Sequence, residues 1–146
     1  MVERPILVAV DFDEASNRAL LAARSIAAGL GAPIALVHVY RLPLYAYPTI
    51  EPVPMPPPIS ALDIQEAARE AIVKLAESFG VPPDLALVRE GDPVDEILAA
   101  AREINARMIA LGTHGRRGLA HVLLGSVAEQ VVRRSSVPVL TVRVAG

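Results

Sequence analysis

Two short stretches carry residues whose types and spacing suit chemistry. One is "DFD", where Asp11 and Asp13 follow an apolar run. The other is "GTHGRRGLAHVLLGS", Gly112 to Ser126, which holds four of the nine glycines in the chain: Gly112, Gly115, Gly118 and Gly125. Glycine is costly in an ordered segment, and it is kept where the backbone needs φ > 0 or where another group approaches closely. This stretch leads from the apolar "MIALG" into "SVAEQVVRRS", which has helical periodicity. A helix N-terminus presents unpaired N–H groups and partial positive charge, and glycines let an anion reach those groups. Phosphate fits, with Ser126 adding a hydroxyl and Arg116 and Arg117 able to clamp phosphate oxygens. The alternative is a tight strand-to-helix turn, with Ser126 as an ordinary N-cap and both arginines solvated. Loop chemistry by itself leaves the two readings open.

Two common phosphate loops do not match. The ATPase P-loop ends in Gly-Lys-Ser/Thr, whereas Leu124 precedes Gly125-Ser126 and the sole lysine of the chain is the distant Lys74. The dinucleotide fingerprint Gly-x-Gly-x-x-Gly follows a first strand, whereas Gly112-x-x-Gly115-x-x-Gly118 follows a fourth. Other reactive types are scattered. His38 lies inside an apolar run and reads as a packed core residue. His114 and His121 have no third partner for a zinc site. Asp92, Asp95 and Glu96 read as helix-start acids, and Ser135-Ser136 as a helix end.

The elements that must position these residues follow from periodicity. Short apolar, β-branched runs at Ile6 to Val10, Ile34 to Val39, Leu85 to Arg89, "MIALG" and "PVLTVRV" read as buried strands. Between them lie helical patterns: one after Asp13 ending at Gly31, one capped by Ser60 and ending at Gly80, one opened by Asp92-Pro93, and one from Ser126. The alternation βαβαβαβαβ implies an α/β fold, a parallel sheet with helices on both faces. Ligands in such sheets bind beyond the carboxyl ends of the strands, where the winding reverses. The 146 residues read as a single domain, 1–146, with a proline-rich loop at about 41–59. A net charge of −2 argues against nucleic-acid binding, and the absence of cysteine rules out disulfides and thiolate metal sites. There is no secretory pattern after "MVER" and no run of membrane-spanning length, so the expectation is a cytoplasmic protein without a membrane partner.

Gly112, two residues, Gly115, nine residues and Gly125-Ser126 resemble the ATP-binding motif of the universal stress protein family. "ILVAVD", "LVHV", "GDPVDEIL" and "LGTHGRRGLAHVLLGSVAEQVVRRSSVPVLTVR" are similar to that family in the same order, across nearly the whole chain. The resemblance implies a Rossmann-like, adenine nucleotide alpha hydrolase-like fold: five parallel strands, order 3-2-1-4-5. It implies that Asp11, flanked by Ala9 and Val10, contacts the nucleoside, that Val39 lines the adenine pocket, and that Leu111 borders the nucleoside. It implies phosphates on the amides of Gly112, Gly115, Gly125, Ser126 and Val127, with Arg116 beside them, ATP with Mg²⁺ as the ligand, and a homodimer through the C-terminal strand. Asp13 departs from the family, where serine is frequent; it either caps the first helix or faces a metal-bound phosphate. Arg117 stands where glycine is common. The function implied is a nucleotide-dependent regulatory protein of stress adaptation, with at most slow ATP hydrolysis. A slow ATPase or nucleotidyl-transfer enzyme, and a dimeric interaction module without nucleotide, are the alternatives.

Overall fold

The computed structural model describes residues 3–42, 60–114 and 125–144. The proline-rich loop and Gly115, Arg116, Arg117, Gly118 and His121 therefore lie outside the described residues. The strands are β1 (Ile6–Ala9), β2 (Ile34–Tyr40), β3 (Ala86–Glu90), β4 (Met108–His114) and β5 (Val139–Val144). The helices are α1 (Glu14–Leu30), α2 (Ala61–Phe79), α3 (Pro93–Glu103) and α4 (Ser126–Arg134). All strand pairs are parallel, and the sheet order is β3-β2-β1-β4-β5. This is the fold class and strand order expected.

Local chemistry explains most boundaries. Asp13 caps α1 by accepting from the Ser16 N–H at 2.8 Å, and Gly31 closes that helix in the left-handed region. Ser60 and Asp63 form a reciprocal capping box at the start of α2. Asp92 accepts from the Asp95 N–H, with Pro93 as the first residue of α3. Strand ends differ from expectation by one or two residues. The third strand begins at Ala86, because Pro83–Leu85 forms a 3₁₀ turn in which the Leu85 N–H donates to the Pro82 carbonyl at 2.9 Å. The fourth helix begins at Ser126, as expected, and Gly125 holds the N-cap position.

The central strand β1 lies between β2 and β4, so Ile6, Leu7 and Val8 are fully buried. Their alternation divides the core. Leu7, Val37, Ile109 and Leu111 pack with α3 and α4 on one face. Ile6, Val8, Leu36 and Ala110 pack with α1 and α2 on the other. The chain winds outward from β1 to β3 under α1 and α2, then returns through α3 to β4 on the opposite face. The reversal falls between β1 and β4, and that opens a crevice at their carboxyl ends.

Candidate functional site

The crevice is a cavity of about 350 Å³. That is within the ~300–1,000 Å³ usual for small-molecule sites. Its floor is apolar, from Val37 and Val39 of β2, Ile97 of α3 and Leu111 of β4. Asp11 and Asp13 of the β1–α1 turn rim one side, and Gly125, Ser126, Val127 and Ala128 of α4 the other. Of the residues singled out in the sequence, Ala9, Val10, Asp11, Val39, Leu111, Gly112, Gly125, Ser126 and Val127 all line this one cavity. Gly115 and Arg116 lie outside the described residues.

The β1–α1 turn is held by its own polar atoms. The Asp11 N–H donates to Ser16 Oγ at 3.2 Å, and Ser16 Oγ donates to the Asp13 carbonyl at 3.3 Å. Ser16, nearly fully buried, thereby ties Asp11 to the first turn of α1. Capping commits one oxygen of the Asp13 carboxylate to α1. Between the two acids, Phe12 adopts φ 60°, a conformation that costs a bulky residue free energy. The Phe12 ring packs against His38 with centroids 4.7 Å apart. His38 is half-buried rather than fully in the core, and its Nδ1 sits 2.8 Å from the Val10 carbonyl. A carbonyl only accepts, so that contact sets the imidazole proton on Nδ1.

The α4 side has the opposite character. Gly125 offers no side chain to the first N–H groups of α4, and no side-chain capping bond is made there. Ser126 is the first helical residue, so its hydroxyl does not perform the N-cap role that the turn alternative assigned to it. A Cβ on Gly125 would meet nothing within 4 Å. The helix therefore presents bare amide donors to the cavity, the arrangement that attracts anions.

Gly112 has a different reason to be glycine. A Cβ there would collide with the backbone of Ala15 in α1, so the residue lets α1 seat closely on β4. Sequence reading attributed that glycine to anion approach. Two further lining residues were missed. Ser16 stands three residues after the capping Asp13, and that spacing was the available signal. Thr113 alternates onto the same face as Leu111; it is buried, and its hydroxyl has no hydrogen-bond partner among the described residues. Among the described residues no group of three or more His or acidic side chains is arranged to hold a metal.

The chain matches the Universal stress protein family over residues 3–143. It belongs to that family. A universal stress protein of Thermus aquaticus is 32% identical over 147 residues, covering 96% of this chain and 98% of that one. Universal stress protein MJ0531 of Methanocaldococcus jannaschii is 42% identical over 79 residues, which cover 54% of this chain and only 45% of that relative. A universal stress protein solved in complex with cAMP superposes with TM-score 0.61 at 27% identity, covering 99% of this chain and 100% of that one. The doubly wound sheet and switch-point cavity of this universal stress protein are thus set among relatives of one fold, one of which was crystallised with an adenine nucleotide. No described helix is long and apolar enough to cross a membrane.

Proposed function

We propose that this universal stress protein binds an adenine nucleotide, ATP with Mg²⁺, in the switch-point cavity and serves as a nucleotide-dependent regulator in the cytoplasm. The observation that carries the reading is the start of α4: bare amides at Ser126, Val127 and Ala128 opening onto a cavity whose other wall is apolar. Phosphate suits the first and a purine the second. In this reading Val39 and Leu111 receive the base, Ala9, Val10 and Asp11 the nucleoside, and Gly112, Gly115, Arg116, Gly125, Ser126 and Val127 the phosphates. Mg²⁺ enters with the phosphates, because it retains waters and needs few protein carboxylates. The relative solved with cAMP supports an adenine ligand for this fold.

Regulation by binding is favoured over rapid turnover. Fast phosphoryl transfer needs positioned charge and an oriented nucleophile. Lys74 is exposed on α2, across the sheet from the cavity floor, and Asp13 is engaged as a helix cap. The active assembly in this reading is a homodimer joined through β5. Isothermal titration of the purified protein with millimolar MgATP tests the site. Saturable heat and a raised melting temperature are expected; no heat and no thermal shift would overturn the reading.

A further inference from the structure

The β1–α1 turn holds an aromatic residue in an uncommon conformation, between two acids that line the cavity. Phe12 stands at φ 60°, in the left-handed region, which a bulky side chain enters only at a cost in free energy. Such a conformation persists where neighbouring groups enforce it, and it recurs at binding sites. Asp11 and Asp13 line the cavity, whereas Phe12 packs on His38, with ring centroids 4.7 Å apart and planes tilted by 57°. His38 is the enforcing group. It stands between Val37 and Val39, both in the cavity lining, so alternation puts its side chain on the opposite face of β2. There the imidazole meets the exit of β1. Val10 is the first residue past that strand. Its N–H donates to the Val37 carbonyl at 2.8 Å, and its carbonyl accepts from His38 Nδ1 at 2.8 Å. Val10 is 3% exposed, and a backbone carbonyl in such a place is costly to leave unpaired. The imidazole thus grips the chain on both sides of Asp11, at the residue before it and the residue after it.

We propose that His38 is a positioning residue for the nucleoside end of the site: from the far face of the sheet it holds the Val10 carbonyl and the Phe12 ring, and so fixes Asp11 at the cavity rim. The inference rests on the nucleotide reading above, in which Asp11 receives the nucleoside. His38 does not touch the ligand, because the sheet lies between them. An Asp11 held in place before the ligand arrives spares the cost of ordering the turn on binding. The role also accounts for a polar ring in a strand whose preceding residues, Ile34 to Val37, are all apolar. Leucine would suit that packing, but it lacks the donor that Val10 uses.

The test is His38→Leu, which removes both grips, with His38→Asn as the conservative variant. The asparagine amide nitrogen occupies the place of Nδ1 in the side chain and donates to the same carbonyl. Isothermal titration with MgATP, adenosine and tripolyphosphate is run on both, on Asp11→Ala and on the double variant Asp11→Ala, His38→Leu. Exchange of the Asp11 amide, which donates to Ser16 Oγ at 3.2 Å, is followed by NMR without ligand. His38→Leu is expected to weaken adenosine and MgATP alike by roughly tenfold, the upper range for a neutral hydrogen bond, and to leave tripolyphosphate unchanged. His38→Asn recovers native affinity to within about threefold. With Asp11→Ala in place, His38→Leu adds no further loss, because the residue it positions has gone; a packing role alone gives additive losses. The Asp11 amide exchanges roughly tenfold faster in His38→Leu, while amides of β5 keep their native rates. Native adenosine affinity in His38→Leu, an equal loss for tripolyphosphate, no rescue by His38→Asn, additive losses in the double variant or an unchanged Asp11 exchange rate each overturns the proposal. Where His38→Leu does not fold, His38→Gln replaces it: its donor lies one bond further out, the same losses are expected, and native affinity overturns the proposal. If the native protein binds neither MgATP nor adenosine, the nucleotide reading fails by itself. The hold of His38 on Asp11 then stands only if the amide exchange rises as stated, and falls otherwise.

Discussion

A Cβ on Gly112 would lie 2.2 Å from the carbonyl oxygen of Ala15 and 2.8 Å from its Cβ. The first contact is with backbone in the opening turn of α1, which is pinned by the Asp13 cap and by Ser16. Nothing there can rotate aside, so even one methyl must push the helix off β4. Gly112→Ala is expected to lower stability by about 3 kcal/mol, the upper end of what overpacking costs, because the obstacle is backbone rather than a flexible side chain. Urea unfolding checks this, and a loss under 1 kcal/mol by the same scale would mean that α1 seats more loosely than described. The consequence for reading function is specific. A binding defect in any Gly112 variant reports first on packing, so glycine chemistry at this site is better probed at Gly125, where a new Cβ meets open space.

At the scale of the element, α4 is a helix held without its usual N-cap. Gly125 occupies that position at φ −69° and ψ 164°, angles that any residue adopts. Gly125→Asp would place a carboxylate over the first amides, satisfying them and complementing the helix dipole. Stability is expected to rise by a few tenths of a kcal/mol, the usual difference between Asp and Gly at an N-cap. MgATP binding is expected to disappear, because the new carboxylate takes the amides and repels phosphate. Urea unfolding and titration calorimetry on one preparation give both readouts, and native MgATP affinity in this variant would remove α4 from the site. The same helix marks the limit of what the sequence discloses. The caps at Ser60 and Asp92 were legible, and capping was one of the two readings of Asp13, because each is settled within three residues of chain, by a side-chain oxygen and the N–H it reaches. Gly125-Ser126 was not, since serine suits both the N-cap and the first turn, and only the fold decides between them. The nine lining residues were brought to one cavity by strand order, which followed from the family resemblance rather than from periodicity. The orphaned Thr113 hydroxyl and the Ala15 contact at Gly112 depend on what the folded chain puts opposite them, and no local pattern carries that.

For the whole molecule, the two edges of the sheet are not equivalent. The β3 edge is short and is entered through the Pro82–Pro83 turn; it carries Arg89, which pairs with Glu103 at 2.8 Å, and then Glu90. Charge and proline of this kind blunt an edge against pairing. The β5 edge is a six-residue run, Val139–Val144, and all of it except Arg143 is only half-buried. Among the described residues its only hydrogen-bonded strand neighbour is β4. Leu140 reaches the core beneath α1 and α2, and Val139 the core beneath α3 and α4, so the strand is apolar on both faces. An open apolar edge is an invitation to a second copy. Closed pairing of identical chains is isologous about a two-fold axis, which sets β5 antiparallel to β5 and continues the sheet across the dimer. Both cavities then remain outside the junction, because they open beside β1 and α4 rather than at the edge. The expected outcome in sedimentation velocity, at tens of micromolar protein, is a dimer. Thr141→Lys, which sets a charge midway along β5, is expected to give a monomer that retains native far-UV circular dichroism and still binds MgATP. A native protein that sediments as a monomer, or a Thr141→Lys variant that stays dimeric, would move the interface away from this strand.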